Sequence, residues 1–134
     1  MTINIKPVSG ASAAATNDQK KAIQAGLKAD SVTLADANNA LTAALHADVL
    51  CKSDSAVART HTFANNGWVV DQEVTIDVNG AGAVTVLPAM NGGAVGGVTV
   101  VGSALLAPTG AQYDTLNFVV TAAGASSVTF KRRS

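Results

Sequence analysis

The clearest pattern of apolar and polar positions lies in residues 70–78. Val70, Val74, Ile76 and Val78 fall on one side, and Asp71, Glu73, Thr75 and Asp77 on the other. This is the period-two alternation of a half-buried strand. Asn79-Gly80 follows at once and predicts a tight hairpin, with residues 83–87 running back. Short β-branched runs recur at Val74-Thr75-Ile76, Val84-Thr85-Val86, Val98-Thr99-Val100 and Val128-Thr129-Phe130. Leu116, Phe118 and Val120 mark the inner face of one more strand, and residues 48–52 and 60–64 read as strands too. Turn signals at Asn91-Gly92-Gly93, Pro108-Thr109-Gly110 and Ala123-Gly124-Ala125 separate them. About seven or eight short strands with such spacing predict a mainly β chain, a β-sandwich of jelly-roll-like form.

Upstream of this region the pattern changes. Residues 2–6 alternate as a short strand stopped by Pro7, and the small, polar residues 8–15 read as an extended linker. Asn17 stands as an N-cap for a helix through Lys28, with Ile23 and Leu27 on one face. Gly26 and the narrow apolar stripe make it a helix that needs a docking partner. A second short helix is expected over residues 34–46, with Leu34, Leu41 and Leu45 on one face. The expected division is an N-terminal arm, residues 1–30, and a β-sandwich assembly domain, residues 31–134.

Composition sharpens this reading. The apolar fraction is 48%, but much of it is alanine, and only five residues are aromatic. Hydrophobic stabilisation scales with buried area, so a lone subunit has a thin core. Burial between copies is the natural remedy, and an oligomer is expected. Nine basic residues against nine acidic ones give no net charge. A nucleic-acid partner is therefore not expected, since displacing counterions takes a basic stripe. The one basic run, Lys131-Arg132-Arg133, reads as a solvated tail or an ion-pair partner. No run of roughly 20 apolar residues predicts a membrane span. The first residues lack the basic and apolar regions of a secretion signal, and the single cysteine, Cys51, forms no intrachain disulfide. Assembly in a cytoplasm is expected.

Candidate chemistry is sparse, and the chain reads as non-enzymatic with no cofactor and no metal. His46, His61 and Cys51 lack metal-ligand spacing, and a strand cysteine is usually a small core residue. Residues 92–97 are glycine-rich, but no phosphate-loop lysine follows. Asp71, Glu73 and Asp77 could hold a cation or act as a carboxylate pair; a solvated strand face explains them better. Trp68 and Tyr113 are the only rings offered for stacking on a sugar in a glycan-binding alternative.

Several phrases occur in a suggestive order. Residues 41–50, Leu-Thr-Ala-Ala-Leu-His-Ala-Asp-Val-Leu, precede Ser53-Asp54-Ser55-Ala56 and Thr60-His61-Thr62-Phe63. Then come Val74-Thr75-Ile76, Asn79-Gly80-Ala81-Gly82, Val84-Thr85-Val86 and residues 97–102. This order resembles the small β-rich modules of phage head fibres, head decoration proteins and tail fibres, over residues 41–131. The resemblance implies a homotrimer in the virion, attached to the major capsid protein or another virion protein through an N-terminal segment. Ile3, Ile5, Ile23 and Leu27 are the expected attachment residues. Many such modules carry a Trp in the final strand; here the Trp is Trp68, which counts against carrying over a receptor-binding tip. The expected role is a capsid decoration, cement or short head-fibre subunit, with a tail-fibre module recognising a host surface glycan as the alternative.

Overall fold

The computed structural model describes residues 31–134. The expected arm, including Ile3, Ile5, Ile23 and Leu27, lies outside them. Alternation decides the strands. In β5, Glu73–Val78, the residues Val74, Ile76 and Val78 are buried, and Glu73, Thr75 and Asp77 are half-buried on the opposite side. The same rule produces β3 (Leu50–Ser53), β4 (Arg59–Phe63), β6 (Val84–Leu87), β7 (Val98–Gly102), β9 (Thr115–Ala123) and β10 (Val128–Arg132). Three shorter strands, β1 (Ser31–Thr33), β2 (Ala40–Leu41) and β8 (Thr109–Gly110), raise the number above the expected seven or eight.

The chain is mainly β, in two mixed sheets. One has six strands in the order β1-β3-β5-β9-β10-β7, the other four in the order β2-β4-β6-β8. Up to β6 the path alternates between them, so each strand lies parallel to the one two places earlier. Ser31, Leu50 and Thr75 are successive partners in the larger sheet. Ala40, Thr62 and Leu87 are successive partners in the smaller one. Each pass through both sheets is thus one turn of a flattened coil. The last strands close it: β9 inserts antiparallel between β5 and β10, β8 runs antiparallel to β6, and β7 lies parallel to β10. Five of the eight pairings are parallel, where a jelly roll is antiparallel throughout.

The hairpin expected at Asn79-Gly80 is corrected by this topology. β5 and β6 belong to different sheets, and the turn between them is a corner stacked on the preceding corner. The Gly80 and Gly82 amides donate to the carbonyls of Ser53 and Ser55, at 2.9 and 3.0 Å. A Cβ on Gly80 would sit 2.2 Å from the Ser55 oxygen, and one on Gly82 would sit 2.1 Å from the Val57 oxygen. Neither glycine has positive φ. These glycines serve close backbone approach.

The helix expected over residues 34–46 is also corrected. Only Ala43–His46 is helical, as α1, capped by Thr42, whose hydroxyl accepts from the Leu45 amide. The polar pair upstream diverts the backbone. The Asn39 side chain donates to the Ala35 and Ala37 carbonyls, and the Asn38 side chain accepts from the Thr60 amide. Such side chains offer the backbone an alternative to helical hydrogen bonds. Leu34 and Leu41 are buried as expected, but Leu45 is exposed.

Both sheets share one core, in which valine is the commonest residue. Phe63 of the smaller sheet stacks on Phe130 of the larger, with ring centres 3.9 Å apart. Phe118 meets Phe63 edge-on, and Trp68 meets both Phe63 and Phe130 in the same way. Four of the five aromatic side chains are spent on this one cluster, which ties the sheets together.

Candidate functional site

The residues singled out for chemistry are absorbed by structure. Cys51 is fully buried and its thiol points to the His46 carbonyl, 3.9 Å away. His46 Nδ1 accepts from the Thr42 amide at 2.9 Å, and His61 Nδ1 accepts from the Asn39 amide at 3.1 Å. Both rings thereby hold the loops around β2, and an accepting Nδ1 requires the proton to sit on Nε2 in the neutral form. His61 is fully buried and its Nε2 has no hydrogen-bond partner. Burial, then the nearby His46 and Arg59, hold its pKa below the usual histidine value. Among the described residues no group of three His, Cys, Asp or Glu side chains is placed to hold a metal ion. No helix among them is long and apolar enough to cross a membrane.

The acidic trio does not converge. Glu73 is ion-paired with Arg133, and Asp77 accepts from the Thr115 hydroxyl at 2.7 Å. Asp71 lies before β5 with φ of 75°, its amide bonded to the Val120 carbonyl. The two proposed stacking rings are also apart. Trp68 is buried beside the Ala123–Val128 end of the β9–β10 hairpin. Tyr113 is 83% exposed and precedes the other end of β9. The nine residues of β9 separate them by roughly 25 Å at about 3.3 Å per residue.

What the architecture does set apart is the two edges of its larger sheet. At one, the outer edge of β7 is closed by the loop before it. The Asn91 amide donates to the Val100 carbonyl at 2.7 Å. The Asn91 side chain donates to the Gly102 carbonyl at 2.8 Å and accepts from the Gly102 amide at 3.2 Å. Val95 and Val98 exchange two backbone bonds, at 2.9 and 3.0 Å. Every second residue of β7 is thus occupied on the side away from β10. At the other edge, β1 has no strand on its outer side among the described residues; in the smaller sheet β2 and β8 both lack one. The Leu34 amide bonds inward to the Lys52 carbonyl at 2.8 Å, so the alternation of a strand turns the Thr33 amide outward. An unpaired edge of this kind is a template for another segment.

Asn91 was visible in the sequence only as part of a turn signal. Its role depends on which strand folds beside it, and no local pattern carries that. Compared with family models, curated proteins and solved structures, the chain matches none.

Proposed function

We propose that this chain is a structural subunit of a bacteriophage particle, a capsid decoration, cement or short head-fibre protein. It self-associates, as a trimer in the reading that its sequence resemblance implies, and docks through residues 1–30. The observation that carries this reading is the asymmetry of the larger sheet's two edges. The β7 edge is closed by Asn91 and Val95, whereas β1 is unpaired on its outer side among the described residues. Residues 1–30 lead directly into β1. A strand edge left available beside an arm suits attachment by addition of backbone to backbone, in which main-chain hydrogen bonds supply affinity and side chains supply specificity.

Retention on purified particles tests the docking step. The full chain is expected to co-sediment with particles, and a chain of residues 31–134 is expected to lose at least tenfold in retention. Circular dichroism serves to establish that the shortened chain keeps its β signal. Equal retention of the two folded chains would rule out docking through residues 1–30.

A further inference from the structure

The pair Asn-Gly occurs three times in the chain, at 66–67, 79–80 and 91–92. In such a pair the side-chain carbonyl carbon of the asparagine is open to attack by the glycine backbone nitrogen, which no Cβ shields. The fold treats the three pairs differently. The Gly80 amide donates to the Ser53 carbonyl at 2.9 Å, and the Gly92 amide to the Ala89 carbonyl at 3.0 Å. Their asparagines are held as well: Asn79 donates to the Asp54 carboxylate at 3.4 Å, and Asn91 exchanges two side-chain bonds with Gly102. At Asn66-Gly67 neither hold exists: the Asn66 side chain and the Gly67 amide have no hydrogen-bond partner among the described residues. Both residues are exposed and line a cleft of about 140 Å³ facing the turn between β9 and β10, so water reaches them. Their flanks are anchored, Asn65 to the Gly96 and Ser126 carbonyls and Trp68 to the Ala64 carbonyl.

We propose that Asn66 is a site of spontaneous modification, the one Asn-Gly pair of the three at which the folded chain converts asparagine to isoaspartate. The Gly67 nitrogen gives up its proton to solvent base and bonds to Cγ of Asn66, and the side-chain nitrogen leaves as ammonia. The five-membered imide so formed takes up one water. Opening at one carbonyl gives aspartate. Opening at the other gives isoaspartate, in which the main chain runs through the former side chain and is one carbon longer. The only co-reactant is water. At Asn79 and Asn91 the same attack requires the glycine amide to leave its acceptor first, so the reaction waits on local opening. The two products differ in what they do to the fold. The extra carbon of isoaspartate falls in the turn that the Trp68 indole closes by donating to the Ala64 carbonyl at 2.6 Å. Trp68 also meets Phe63 and Phe130 in the cluster that ties the sheets together. A longer turn between residues 64 and 68 pulls that ring off its partners. Aspartate adds a charge at an exposed position and leaves the length of the turn unchanged.

Peptide mass spectrometry of the full chain aged at pH 7.5 tests the proposal, with isoaspartate identified by fragmentation. In the folded chain, conversion at Asn66 is expected to run at least tenfold faster than at Asn79 or Asn91. In the same chain unfolded in urea, where only the shared dipeptide remains, the three rates are expected to fall within threefold of one another. A folded chain in which Asn79 or Asn91 converts as fast as Asn66, or in which Asn66 stays intact while the unfolded chain reacts, would overturn the assignment. The effect on the fold is read separately, by urea unfolding followed through Trp68 fluorescence. The isoaspartate fraction, separated by chromatography, is expected to unfold at lower urea than the unaged chain, and Asn66→Asp to keep the unaged midpoint. Equal midpoints for the isoaspartate fraction and Asn66→Asp would overturn the link to Trp68.

Discussion

At the scale of single residues, the glycines of the 79–83 corner show how one signal can serve two structures. Asn-Gly before an alternating run is a strong hairpin indication because it supplies positive φ. Here the same residues are needed for the absence of a side chain, since Gly80 and Gly82 lie against the backbone of the 53–57 corner. A hairpin glycine tolerates Asn; a stacking glycine does not tolerate any Cβ. Gly82→Ala should therefore cost roughly 1–3 kcal/mol or more, the range for forcing extra atoms into packed structure, through the clash with Val57. Urea unfolding followed by Trp68 fluorescence is the measurement. A loss below about 0.5 kcal/mol, the ordinary range for a surface substitution, would mean that the two corners are not stacked.

At the scale of elements, the informative contrast is between strands that are closed and strands that are not. β7 is five residues long and carries Val101 partly exposed on its outer face. Without cover it would be an apolar edge of the sort that pairs between molecules. Asn91 and Val95 provide the cover, with Asn91 supplying three of the five hydrogen bonds. Asn91→Ala removes the two side-chain bonds and keeps the backbone one. The expected outcome is faster amide exchange at Gly102 by tenfold or more, together with concentration-dependent light scattering that the unaltered chain lacks. Unchanged exchange at Gly102 would show that the loop holds the edge without that side chain. The element-scale surprise in the N-terminal part of the described chain has a similar origin. Leu34, Leu41 and Leu45 are spaced for a helix, but Asn38 and Asn39 bond across to β4 and back onto their own loop. Tertiary partners thereby override a helical spacing that propensity alone would accept.

At the scale of the whole molecule, stability is expected to depend on pH through His61. The ring lies fully buried between the sheets, and burial, His46 and Arg59 lower its pKa from 6.5. The folded chain therefore holds fewer protons than the unfolded one below that value. His61 costs the fold nothing above about pH 6.5; as the pH falls towards its folded pKa, stability is lost. The slope from this one group is at most about 1.4 kcal/mol per pH unit. Thermal unfolding of the full chain between pH 7.5 and 5, set against His61→Gln, isolates the contribution, with a shallower decline expected for the variant. Parallel declines would assign the acid sensitivity to other groups.

The sequence by itself determined most strand positions and the inward and outward side of each. Both follow from period-two alternation, which is local. That the His46 and His61 rings accept the backbone amides of Thr42 and Asn39 was not legible in the sequence, because both contacts depend on how the tertiary structure places the rings. Only the tertiary structure decided which strands are neighbours. Alternation is the same for parallel and antiparallel pairing, so nothing in residues 73–87 distinguishes a hairpin within one sheet from a corner between two. The closed β7 edge and the register that aligns Thr60, Thr85 and Thr109 depend on contacts between residues distant in the chain. Those contacts are a property of the coil, and no window of sequence contains them.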